Sequence, residues 1–134
     1  MQITVNQKAL NAFRRRALRR FPKEYIESLW GYKNGHWRIC EFRPMEHESH
    51  RITVEYNPED ARTGARDGKL MCIGTIHTHT IQAADCSPSE HDWDDCSINR
   101  ELITGICSIE AGKSRRRTRI RFFKAQAVCE VDLK

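Results

Sequence analysis

Residues 70–79 read Leu-Met-Cys-Ile-Gly-Thr-Ile-His-Thr-His, an apolar run that closes on two histidines. The run is far shorter than the ~18–20 apolar residues that cross a bilayer, and no longer one occurs in the chain, so a membrane-spanning helix is excluded. Its length and its β-branched content fit a buried strand. Strand side chains alternate between faces, so His77 and His79 project from the same face. A fold for this chain must be built around that strand.

The chain has 134 residues, 39% hydrophobic and 31% charged. That is one domain, 1–134, with a core that removes about two-thirds of the unfolded surface from water. The composition is globular rather than disordered. Met1-Gln2-Ile3-Thr4-Val5-Asn6 lacks the charged and apolar regions of a secretory signal. Of the 6 cysteines, Cys40, Cys72, Cys96, Cys107 and Cys129 sit in or beside apolar runs, which fits buried reduced thiols in a cytoplasmic protein better than a disulfide framework.

The net charge of +5 is concentrated in two runs without acids. Lys8, Arg14, Arg15, Arg16, Arg19 and Arg20 make the first, and residues 113–121 the second. Solvated helix and hairpin faces account for such runs, and so would an acidic protein partner or nucleic acid. Phe122 and Phe123 follow the second run as aromatics that could stack on bases.

The order of elements points to an α/β domain, with helices packed on a mostly antiparallel mixed sheet. Residues 2–5 alternate as a strand. Asn6 caps a helix on which Leu10, Phe13, Ala17 and Phe21 recur at helical spacing, and Pro22 closes it. Residues 24–32 and 36–43 form a hairpin through Asn34-Gly35. A polar loop runs over 44–50 and a strand over 51–56. Asn57-Pro58-Glu59-Asp60 starts a short helix that Gly68 ends. After the strand 69–79, a loop leads to a helix opened by Ser89. Strands at 102–109, 117–124 and 126–133 complete the sheet.

Two imidazoles on one face at the end of a buried strand are well placed to hold a metal ion. Asp92 is the fourth residue of Ser89-Glu90-His91-Asp92, in the first turn of the following helix, where the loop can bring it back to the strand end. Two histidines and one carboxylate leave a tetrahedral zinc one open position, as catalytic sites do. Each piece has a plainer reading, since Ser89 and Asp92 also make a capping box.

With an upstream glutamate added, the pattern resembles the JAMM, or MPN+, zinc metalloproteases, in their stand-alone prokaryotic or phage type. The matching segments are Phe21-Pro22-Lys23-Glu24 leading into a strand that ends at Gly31, then Gly74 to His79, then Ser89-x-x-Asp92. The resemblance spans roughly residues 2–124. It implies a single MPN-like, cytidine-deaminase-like domain, with Zn2+ held by His77, His79 and Asp92. It further implies that Glu24 holds and deprotonates the zinc-bound water, and that Ser89 steadies the oxyanion. Thr78 stands where serine is usual, Thr80 where proline is usual, and Glu27 where glycine is common. The loop from His79 to Ser89 is two residues longer than the common spacing.

Glu27 is the rival base: three residues from Glu24 it faces the other side of the strand, so only one of the two can reach the metal, alternation does not say which, and the resemblance to the family's Pro-x-Glu segment points to Glu24. The polar set Glu46, His47, Glu48 and His50 fits a surface loop. Cys86, His91 and Cys96 flank the site without an evident fourth ligand for a second zinc. The implied activity is hydrolysis of peptide or isopeptide bonds, with a ubiquitin-like protein or its conjugate as the substrate, cut at its C-terminal tail. The alternatives are a phage-tail or small-peptide metallohydrolase, a non-catalytic MPN scaffold, and a nucleic-acid-binding module.

Overall fold

The structure is a computed structural model and describes residues 1–45, 47–49, 54–56, 65–79, 103–111, 116–125 and 127–134. Strand β1 (Gln2–Val5) leads directly into helix α1 (Gln7–Arg20). The Asn6 side chain accepts from the Ala9 amide at 2.8 Å, satisfying one of the orphan N–H groups of the first turn. Leu10, Phe13 and Ala17 form the buried stripe of the helix, and the chain turns away through Phe21-Pro22, a cis peptide bond.

Strands β2 (Ile26–Asn34) and β3 (His36–Pro44) form the expected hairpin. Gly35, at φ +76°, makes the turn in the left-handed region that glycine occupies without strain. Strands β4 (His47–Ser49) and β5 (Val54–Tyr56) pair with each other in a separate two-stranded sheet. The stretch expected as a polar loop over 44–50 therefore carries a strand. Gly68 does not end a helix either. It sits in the tight turn between β6 (Arg66–Asp67) and β7 (Leu70–His79), which pair antiparallel. The helix expected from Asn57 lies outside the described residues.

Strands β8 (Ile103–Ala111) and β9 (Arg116–Lys124) follow, then β10 (Ala127–Val128) and β11 (Glu130–Leu133). The main sheet runs β10-β9-β8-β7-β2-β3-β1-β11, with β6 on β7. Three of its pairings, β1 with β3, β1 with β11 and β7 with β8, are parallel and the rest antiparallel. Residues 126–133, expected as one strand, are two. Val128 pairs with Phe123 at one end of the sheet and Glu130 with Gln2 at the other. Only Cys129 separates them, so the sheet must curl until its ends meet.

The core fills the space that this curl encloses with α1. Leu10, Phe13 and Ala17 pack there against Ile3, Val5, Leu29, Ile39, Ile76, Ile103, Phe122 and Cys129. A smaller cluster of Ile106 and Phe123 lies apart. Gly74 fits where β7 meets β8, because a Cβ there would stand 1.8 Å from the Ile103 carbonyl oxygen. Among the described residues no helix is long and apolar enough to cross a membrane.

Candidate functional site

The last two turns of the pleat in β7 carry the two histidines, both half-buried. Their Nε2 atoms lie 3.0 Å apart and their ring centroids 4.8 Å apart. At that distance one ring can donate a hydrogen bond to the other. It is also close to the ~3.3 Å that two imidazoles need when both ligate one tetrahedral zinc with ~2.0–2.1 Å bonds. The donor type and the spacing therefore fit a zinc ion held between the two rings.

Strand β2 lies antiparallel beside β7, with Ile26 opposite His77. The pairing continues beyond the start of β2, because the Thr78 amide donates to the Tyr25 carbonyl at 2.9 Å and the Tyr25 amide to Thr78 Oγ1 at 2.8 Å. Alternation from Ile26 then puts Glu24 on the histidine side of the sheet, and its side chain is buried at 7% exposure. Among the described residues, however, no three His, Cys, Asp or Glu side chains converge as a metal-holding group. Ser89, Asp92, Cys86, His91 and Cys96 lie outside the described residues.

Glu27 points the other way, toward α1, and is fully buried. Arg16 grips it with two hydrogen bonds, Nε to Oε2 at 2.7 Å and Nη2 to Oε1 at 2.8 Å, and the Tyr25 hydroxyl also donates to Oε2. The Glu27 carboxylate raises the Arg16 guanidinium above its ordinary value. Burial, helped by Glu27, pushes the Tyr25 hydroxyl well above the usual phenol range. Glu27 is thus committed to a buried ion pair that braces α1 against β2. Arg16 had counted with the solvated arginines, yet it lies three residues from Phe13, on the inward stripe. That spacing was the available signal.

Phe122 and Phe123 are both buried, at 1% and 2% exposure, so neither presents a ring for bases to stack on. Cys72, Cys107 and Cys129 are buried free thiols, as expected, while Cys40 is half-buried. Burial raises the Cys72 and Cys129 thiols.

The family model for prokaryotic homologs of the JAB domain matches residues 6–122. Comparison with curated protein sequences gives no match. Among solved structures, the chain is similar to a JAB1/MPN domain protein from Archaeoglobus fulgidus, with 18% identity, 99% of this chain and 98% of that one covered, and a TM-score of 0.64. It is similar too to a protein from Desulfitobacterium hafniense, at 20% identity, 99% and 93% coverage and a TM-score of 0.66. Identities this low show a shared fold, whereas the family model reaches across most of the chain. The chain belongs to the prokaryotic JAB-domain family.

Proposed function

We propose that this chain is a zinc-dependent hydrolase of peptide or isopeptide bonds, acting on the C-terminal tail of a ubiquitin-like protein or its conjugate. The observation that carries the reading is the His77–His79 pair, with Nε2 atoms 3.0 Å apart at the end of a sheet strand. His77 and His79 would hold the metal, and Asp92 would complete the set. When bound, zinc supplies Lewis acidity and brings the pKa of a water toward ~7. Glu24 accepts a proton from the attacking water and returns it to the leaving amine nitrogen. Burial of its carboxylate keeps bulk solvent from competing for that proton. Ser89, by resemblance, donates a hydrogen bond to the developing oxyanion. An extended tail would bind by adding a strand to an open sheet edge.

The family also accommodates a non-catalytic scaffold role. Metal analysis separates the two readings. A hydrolase binds about one zinc per chain and loses most of it in His77→Ala, in His79→Ala and in Asp92→Ala, since two donors are too few for tight binding. Full occupancy in all three variants, or no zinc in the parent protein, contradicts the assignment. Mass spectrometry of a mixed peptide library would show cleavage that chelation abolishes and added zinc restores.

A further inference from the structure

The two arginine runs, almost a hundred residues apart in the chain, meet in the fold. The Arg116 guanidinium, at the start of β9, stacks over the Phe21 ring at 4.4 Å from its centroid. Arg20, in the last turn of α1, stands 5.7 Å from the centroid of Tyr25. Lys23 closes the turn between them, its amide donating to the Arg20 carbonyl at 2.9 Å. Arg19, Arg20, Lys23 and Arg116 are all exposed, and none makes an ion pair with a described residue. The negative end of the helix dipole accounts for Arg19 and Arg20, but not for Arg116, which arrives from another strand. The turn that carries these cations runs directly into Glu24.

We propose that Arg19, Arg20, Lys23 and Arg116 form a docking surface for an acidic segment of a protein partner. Four exposed cations without an ion pair among the described residues attract an anionic chain strongly at low ionic strength. A polypeptide suits the patch better than a nucleic acid, because among the described rings beside it Arg116 covers one face of Phe21, and Tyr25, Phe122 and Phe123 are buried, which leaves little for bases to stack on. That the acidic segment belongs to the substrate rests on the hydrolase reading, since the patch borders Glu24. The surface itself does not depend on catalysis.

Fluorescence anisotropy tests it with the full chain and three probes: a short labelled peptide alternating Glu and Gly, its Gln counterpart, and a single-stranded DNA oligonucleotide of equal charge. The Glu peptide should bind, with affinity that falls as salt rises, and the Gln peptide should not. Arg20→Glu with Arg116→Glu should weaken binding by roughly tenfold or more at low salt. Lys23→Glu, which disturbs no ring contact, should weaken it in the same direction. Arg121→Glu, on the other side of β9, should leave it unchanged. Equal loss in Arg121→Glu, no loss in the patch variants, or tighter binding of the oligonucleotide overturns the proposal. Turnover is absent from this readout, so a protein that binds the Glu peptide yet cleaves nothing retains the surface and loses the hydrolase reading.

Discussion

The backbone amide of Tyr25 donates to the hydroxyl of Thr78 at 2.8 Å, and the Thr78 amide donates back to the Tyr25 carbonyl. Thr78 lies between the two histidines and Tyr25 follows Glu24. One pair of residues therefore joins the strand that carries the candidate ligands to the segment that carries the candidate base.

Thr78→Val keeps the shape of the side chain and removes the acceptor. Thr78 is 0% and Tyr25 4% exposed, so the Tyr25 N–H is left in a dry environment. The loss should be about 1–3 kcal/mol of unfolding free energy. Thr78→Ser restores the oxygen and should recover most of it. Urea unfolding of the three proteins checks this, and equal stability of the Val and Ser variants would contradict it.

Arg16→Met should destabilise by about 3 kcal/mol, because it removes the guanidinium that makes two hydrogen bonds to the fully buried Glu27 carboxylate. Chemical denaturation of this variant beside the parent checks the loss, and equal stability of the two would contradict it.

The parent protein should weaken in alkali. Burial raises the Cys72 and Cys129 thiols and the Tyr25 hydroxyl in the folded state. Acids with a raised folded pKa stabilise fully below the unfolded value and lose that contribution as pH climbs past it. The decline should begin near the unfolded thiol value of ~8.5 and steepen near the phenol value of ~10. Ultraviolet titration should show Tyr25 ionising above the ordinary phenol range, and ionisation of all three tyrosines within that range would contradict the prediction.

Local signals made most of the fold legible. Asn6 reads as a cap from its type and position, Asn34-Gly35 as a hairpin, and the period of two as a shared face for His77 and His79. What stayed hidden depends on distant partners. Ala127 to Leu133 alternates as one strand would, and only the opposite pairings of Val128 and Glu130 split it at Cys129. Gly68 suits a helix end and a hairpin turn equally well, and the partner strand decides between them. Arg16 was hidden by its neighbours, because Arg15, Arg19 and Arg20 on the same helix are exposed. At the site, the shared face of the two histidines was legible, as was the opposition of Glu24 and Glu27; which of them stands on the histidine side follows from the pairing of β2 with β7, and Asp92 and Ser89 lie outside the described residues.

Turnover by Glu24→Gln is the most direct measure of the hydrolase reading. The amide is nearly isosteric and leaves His77, His79 and Asp92 in place, so the variant should fold and hold about one zinc per chain. What it loses is the proton acceptor. With a peptide that the parent protein cleaves, kcat should fall by at least ~10²–10⁴-fold while KM changes little. Glu27→Gln, on the helix side of the sheet, should keep its turnover. Near-normal turnover in Glu24→Gln, or a collapse in Glu27→Gln alone, would show that Glu24 is not the base.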